Sequence, residues 1–394
     1  MSRTIRYAFF LLLGVLLTAS LRAQTTTSVI SGHVADTSGA LSEAMVTAVY
    51  TPSGVVYHTF ANKDGNFRLS GVISGGPYTI KAEAAGHRAQ LFQEVYAPLA
   101  QTVVVDFMLN VETVTLGEVV VSASRPDVQS DGVGTVVDRA AIEAVPTASR
   151  SMNDVMKLTP QGTSVAGGFA VGGGTYRGSM VTVDGATFND AFGMGSNLPA
   201  GGSPISLDAI EQLSISLTPF DVRQSGFQGG AINVVTKQGG NSLHASLYNY
   251  FTSSDLQGKR VGENSLAQAA SLNNAMGFTL SGPIVKNKVF FFLNAEYTID
   301  NVAGSTRQAR ADASQPFGGS TSFNRPTVAQ MEEMRSYLIE RYGYDPGRYQ
   351  DYSYNTPDYK LLARLDWNIN SDNRFNIRFS HTHTYNACLP NATK

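Results

Sequence analysis

Val289-Phe290-Phe291-Phe292-Leu293-Asn294-Ala295-Glu296-Tyr297-Thr298-Ile299 decides the fold of this chain. Every odd position is apolar, whereas the even positions after Phe290 and Phe292 turn polar at Asn294, Glu296 and Thr298. The pattern returns with Leu361, Ala363, Leu365, Trp367 and Ile369 set against Lys360, Arg364, Asp366 and Asn368. It returns again with Phe375, Ile377 and Phe379 against Arg374, Asn376, Arg378 and Ser380. A period of two means strands with one apolar and one polar face. Lys286-Asn287-Lys288 and Asn370-Ser371-Asp372-Asn373 read as tight turns. The intervening connections are long, about 20 residues near Leu256–Asn274 and nearly 60 over Asn301–Asp358. Short turns at one end and long loops at the other mark an outer-membrane barrel, apolar outside and polar inside.

The rest of the composition agrees with a β-rich surface protein. A chain of 394 residues has room for two or three domains, and a formal net charge of −2 leaves no basic footprint for nucleic acid. Cys388 is the one cysteine, which excludes an internal disulfide and a thiolate metal cluster. At the N-terminus Arg3 and Arg6 precede a short apolar run, Tyr7 to Leu17, and small residues follow from Ala19 to Ala23. Residues 1–23 therefore read as a secretory signal, with the mature chain beginning near Gln24. The run is well short of the roughly 20 residues a spanning helix needs. No later stretch is apolar enough, so any membrane crossing must use strands.

Three regions follow the signal. Residues 24–110 alternate short β-rich runs with turn clusters at Asp36–Gly39, Pro52–Gly54, Asn62–Gly65 and Gly75–Pro77, the pattern of a small all-β sandwich. Asp64-Gly65 between Val55–Ala61 and Asn66–Leu69 predicts a hairpin. Residues 111–131 read as a linker carrying one β-prone run, Val119-Val120-Val121. Residues 132–240 mix strand and helix with heavy glycine; Ser151–Leu158 and Ser206–Gln212 are predicted as short helices, the second ahead of a strand Leu213–Leu217. Residues 241–394 hold five predicted strands, Leu243–Thr252, Met276–Ile284, Val289–Ile299, Tyr359–Ile369 and Arg374–Thr384. The first is the weakest, because Tyr248, Tyr250 and Phe251 do not separate onto faces. Within the long connection, Thr327 to Tyr342 predicts a helix with a Thr327–Gln330 capping box and a Gly343 stop.

Several of these stretches have counterparts in a known family. Gly229-Gly230-Ala231-Ile232-Asn233-Val234-Val235-Thr236-Lys237 resembles the end of the plug domain of TonB-dependent outer-membrane receptors. Tyr176-Arg177-Gly178-Ser179 through Val183-Asp184-Gly185 is similar to the arginine-glycine and aspartate-glycine strand pair of those plugs, and Pro219-Phe220-Asp221-Val222-Arg223 to the Oar-like subgroup. Gly32-His33-Val34, Asp64-Gly65-Asn66-Phe67 and Gly76-Pro77-Tyr78 resemble the carboxypeptidase regulatory-like domain often found ahead of such plugs in Bacteroidota. The order of the motifs, followed by barrel-type strands, is more specific than any one of them.

The resemblance implies a mainly β receptor in a Gram-negative outer membrane, with the plug and N-terminal domain on the periplasmic side. It implies energy-coupled import of a small or oligomeric ligand, with TonB of the inner membrane and outer-membrane lipid as partners, no cofactor and no catalysis. A surface lipoprotein partner is compatible with this group, and no residue argues for or against one. Family barrels have roughly 22 strands and five cannot close, so the chain reads as an N-terminal fragment that would not transport alone. The candidate for TonB contact is Glu118-Val119-Val120-Val121; the competing reading makes this run the last strand of the sandwich. Arg177, Gly178, Asp184, Gly185, Gly229, Gly230 and Asn233 would be structural plug residues, with Arg177 and Asp184 singled out for roles in the plug sheet and its contact with the barrel wall. The alternative function is an outer-membrane-anchored adhesion or binding protein acting through the sandwich.

Other features carry less. Gly167–Gly174 and Gly193–Gly202 lack the terminal Gly-Lys-Ser/Thr of a phosphate loop and read as plug loops. His381-Thr382-His383 places two imidazoles on one strand face without a third ligand, so interfacial histidines are expected rather than a metal site. Trp367, Tyr297 and Phe379 are expected to face lipid or its interface. No nucleophile–base pair stands out.

Overall fold

The computed structural model describes residues 27–99, 101–111, 119–121, 127–129, 133–147, 150–165, 168–189, 203–217, 228–256, 258, 260–261, 264–265, 272–303, 308–317, 323–350, 352–370 and 373–385. The signal, Glu118, Gly193–Gly202, Pro219–Arg223 and Cys388 lie outside them.

Two packed sheets make the N-terminal sandwich. One is built on Thr27–Asp36, which pairs antiparallel with Asn66–Ile73 and parallel with Thr102–Val104. In the other, Met45–Tyr50 pairs with Val55–Phe60 and Gly75–Glu83, and the latter with Gln90–Ala97. Asp64-Gly65 is therefore a corner between sheets and not the predicted hairpin. Alternate residues of both flanking strands, Val55 and Tyr57 on one side and Phe67 and Leu69 on the other, are needed in the same core, which holds the strands in opposite layers. The true hairpin tip is Pro52-Ser53-Gly54, joining Tyr50 to its partner Val55. The stretch read as a linker is also paired. Val119–Val121 adds in parallel to Gln90–Phe92, and Asp127–Gln129 adds antiparallel to Thr102–Val104.

The middle region forms a five-stranded sheet in the order Gly134–Asp138, Ile210–Ser216, Gly230–Thr236, Ser179–Val183, Ala186–Thr187. Its core gathers Met152, Val155, Met156, Phe169, Ile215 and Ile232. The helix predicted over Ser151–Leu158 forms as Met152–Met156, with Ser151 as its cap. The predicted helix Ser206–Gln212 is instead a single 3-10 turn, Leu207–Ala209, running into a strand from Ile210. Gln212 to Ile215 are all buried within the sheet, and pairing with Gly230–Thr236 outweighs the local helical preference.

The last region is an antiparallel meander of His244–Ser253, Leu272–Val285, Val289–Ala303, Ser353–Asn368 and Arg374–Thr384. Register places Phe278, Ala295, Leu361 and His381 in one row on the outer face. Phe290, Phe292, Asn294 and Glu296 are buried on the other face, against the plug. Ala209, Phe292 and Leu362 form the apolar contact between plug and wall. The first strand does separate its aromatics: Leu247 and Phe251 point out and are exposed, while Tyr248 and Tyr250 lie inward, where Arg150 of the plug stacks 4.0 Å over the Tyr250 ring. In the long connection the helix Val328–Tyr342 carries both arms of the Thr327–Gln330 capping box and ends at left-handed Gly343, as predicted. No helix among the described residues is long and apolar enough to cross a membrane.

Leu293 sits on the outer face between Leu280 and Ala363. In the intact barrel, Leu293→Arg is expected to cost about 2–4 kcal/mol in a folding titration into lipid vesicles. A cost near zero would put this strand outside the bilayer.

Candidate functional site: the plug–wall latch

The motif residues converge on one parallel strand pair. Ser179–Val183 runs beside Gly230–Thr236, with Thr182 opposite Asn233. The Gly178 carbonyl accepts from the amides of Gln228 (2.8 Å) and Gly229 (3.1 Å), which ties the arginine-glycine turn to the double glycine. A Cβ on Gly230 would stand 2.7 Å from Val171 Cγ1 and 2.9 Å from the Ser216 carbonyl, so only glycine permits this approach. The Asn233 side chain accepts from Thr182 Oγ1 at 2.7 Å. Arg177 is the middle residue of the 3-10 turn Tyr176–Gly178, is exposed, and lies beside the Tyr176 ring. Of Arg177 and Asp184, it is Asp184 that meets wall arginines.

Asp184 closes the strand in a left-handed conformation (φ 46°) with Gly185 after it (φ 86°). Its carboxylate is 4 % exposed and faces two wall arginines. Arg378 Nη1 is 2.7 Å from Asp184 Oδ2, and Arg378 Nη2 donates to the Asp184 carbonyl at 2.6 Å. Arg364 Nη1 is 3.8 Å from Asp184 Oδ1 and donates to the Thr236 carbonyl at 3.1 Å. Thr236 completes the shell: its amide donates to Asp184 Oδ1 at 2.9 Å and its hydroxyl to Oδ2. Asp366 balances the second arginine, 2.8 Å from Arg364 Nε. Charge-assisted bonds in a buried setting are both strong and directional.

A second polar cluster lies further along the wall. Ser206 donates to Glu296 Oε2 at 2.6 Å and meets Tyr248 Oη at 2.9 Å. Lys360 Nζ lies 2.9 Å from Glu296 and 3.0 Å from Asp358. Thr382 donates to the Pro204 carbonyl at 2.6 Å. Sequence reasoning did not single out Arg364, Arg378, Glu296 or Lys360. The available signal was charge on the polar face of a membrane strand, where an ionisable group must find a partner. His381 and His383 stay on the outer face with Tyr359, and no group of three metal-ligating residues occurs among the described residues.

Residues 29–110 match the carboxypeptidase regulatory-like domain, and residues 235–393 the outer membrane beta barrel domain. The TonB-dependent transporter Oar of Myxococcus xanthus is 29% identical over 250 residues, covering 58% of this chain and 22% of its own length. In these stretches the chain is similar to TonB-dependent outer-membrane transporters and receptors. A probable TonB-dependent siderophore receptor, PirA of Acinetobacter baumannii, is 26% identical over 225 residues, 50% of this chain and 28% of that protein. The crystal structure of the siderophore receptor PirA from Acinetobacter baumannii aligns over 64% of this chain and 31% of that one, at 16% identity and a TM-score of 0.42. The chain thus spans about a quarter of the length of the two relatives. The outer membrane beta barrel match and the two TonB-dependent relatives indicate the Gram-negative outer membrane.

Two outcomes are expected here. Arg378→Ala leaves the buried Asp184 carboxylate with the more distant Arg364 as counter-charge beside its Thr236 hydrogen bonds, and should destabilise plug seating by about 3–5 kcal/mol, read as a lower urea midpoint for plug release. An Asp184→Asn, Arg378→Met double variant should recover part of that loss; no recovery would mean the pair is not the seat of the effect.

The second concerns Glu211, which sits beside Gly75 of the sandwich; burial pushes its carboxyl above the ordinary 4.5. The neutral form is the one that folding favours, so its contribution is complete below 4.5 and is lost as pH rises through the raised value. Glu211→Gln should therefore flatten the fall of the thermal midpoint as pH rises above 4.5, as scanning calorimetry would record. An unchanged slope would assign the pH dependence to another group.

Proposed function

We propose that this chain is the periplasmic extension, plug and opening wall strands of a receptor that imports a ligand across the outer membrane with energy supplied through TonB. The observation that carries the reading is a folded domain seated on the polar inner face of lipid-facing strands and held there by Asp184, Arg364 and Arg378. A seated plug blocks free diffusion, so import requires work on the plug. Five strands leave unpaired edges that hydrocarbon does not tolerate, which supports reading them as part of a larger barrel.

The work would enter at Glu118-Val119-Val120-Val121. β-branched residues favour extended backbone, and strand addition supplies main-chain bonds without a side-chain pocket. Four bonds at ~0.5–1.5 kcal/mol each amount to about 2–6 kcal/mol, a grip that can form and release in every cycle. Among the described residues Val119–Val121 is the edge strand of its sheet, which supports both readings of this run at once: it closes the sandwich on one side and would offer the other to a partner strand. The adhesion alternative is not favoured, because the sandwich meets the wall at its short turns, through Asn241 beside Asn287 and through Arg374, and so faces the periplasm.

Deleting Glu118–Val121 from the full-length receptor should abolish ligand uptake while surface binding of the same ligand persists. Uptake at the original rate would remove the coupling assignment.

A further inference from the structure

The tip Pro52-Ser53-Gly54 projects from the sandwich, yet Ser53 is only 2% exposed. What buries it belongs to the other two regions. Asn241 donates its amide to the Pro52 carbonyl at 3.0 Å and its Nδ2 to the Ser53 carbonyl at 2.8 Å. A Cβ on Gly54 would stand 2.7 Å from Asn241 Nδ2 and 3.1 Å from Asn287 Oδ1 of the first short turn. At the second short turn Arg374 stacks 4.1 Å over the Tyr57 ring and hydrogen-bonds its hydroxyl. A third contact runs from the Leu99 amide to Gln212 Oε1 of the plug at 3.1 Å. The sandwich thus touches the plug and both periplasmic turns of the wall.

Between these contacts lies a cavity of about 560 Å³. Tyr57 and Arg68 line it from the sandwich, and Asp184, Thr236, Arg364 and Arg378 line it from the latch. The latch therefore faces a partly enclosed chamber that the sandwich roofs. Attraction between ions scales inversely with the local dielectric, and exposed pairs are further weakened by salt. The roof itself is lightly attached: among the described residues the sandwich and plug cores are separate clusters, the Leu99–Gln212 hydrogen bond joins sandwich to plug, and Arg374 on Tyr57 joins sandwich to wall. Contacts of that kind suit a joint that opens and closes.

We propose that the N-terminal sandwich is a periplasmic cover over the plug–wall latch, and that lifting it admits water and salt and so loosens the latch. The proposal deepens the import reading and rests on it for its purpose, since a cover matters only where the plug moves. The chain path agrees. Val119–Val121 and Asp127–Gln129 are edge strands of the sandwich's two sheets, and both precede the first plug strand at Gly134. A pull applied at Val119–Val121 reaches the sandwich before it reaches the plug.

The test uses the full-length receptor in isolated outer membranes, carrying Cys388→Ser and Ser53→Cys, with maleimide as the probe. Ser38→Cys in an exposed sandwich turn is the reference. Ser53→Cys should label at least about tenfold more slowly than the reference. Adding Asn241→Ala and Arg374→Ala should bring the two rates within about twofold and lower amide-exchange protection across residues 230–236. That loss should deepen when salt is raised to about 0.5 M. Tyr57→Phe, which keeps the stacked ring and removes only the hydroxyl, should give an intermediate rate. Labelling of Ser53→Cys as fast as the reference in the otherwise unaltered receptor would overturn the cover. Full protection at 230–236 once Ser53 is accessible would overturn its hold on the latch. Neither measurement uses TonB or a ligand, so failure of the import reading would appear in the Glu118–Val121 deletion and not here.

Discussion

A backbone surrounded by hydrocarbon has no water to bond with, and the wall strands answer that constraint with continuous antiparallel ladders. From Val289–Ala303 outward on both sides, each residue finds a partner on a neighbouring strand. Pairing along the strands leaves the side chains to divide between two media. One face meets lipid with Leu293, Leu361 and Phe379; the other is free to be polar, because a folded domain and not lipid lies against it. The plug can sit where it does only because the wall is two-faced in this way.

Once a polar inner face exists, its charges need partners, and the plug supplies them. Asp184 meets Arg378 and Arg364, while Ser206 meets Glu296 beside Lys360. Exposed pairs of this kind would contribute little, but burial raises the cost of losing a partner. The apolar share of the contact is small by comparison, three residues around Phe292. A plug held mainly by ions and hydrogen bonds is firmly placed in a dry site and easily freed in a wet one. The sandwich, packed against the same seam at the periplasmic turns, occupies the position from which wetness is controlled.

The legible features were those written in short-range pattern. Alternation located the wall strands, Arg374–Thr384 to the residue, and the Thr327–Gln330 box with Gly343 located the outer helix. Less legible were features where two distant segments compete for one position. Asp64-Gly65 has hairpin chemistry, but the core needs its flanking strands in different sheets. Ser206–Gln212 has a capped helical start, but Ile210 onward is claimed by a neighbouring strand. Of the candidate site, Asp184 was readable from its motif and its two arginine partners were not, since Arg364 and Arg378 are separated from it by nearly the whole wall.

The sequence by itself determined the architecture: period two with short and long connections admits a membrane wall and little else, and the glycine-rich motifs ahead of it mark the plug. Only the tertiary structure decided which charges face one another, that Val119–Val121 is an edge strand of the sandwich, and that the sandwich closes over the latch. The physical reason is range. Alternation and capping act over a few residues and leave a trace in local order, whereas an ion pair or a docked surface depends on where the folded layers bring residues far apart in the chain.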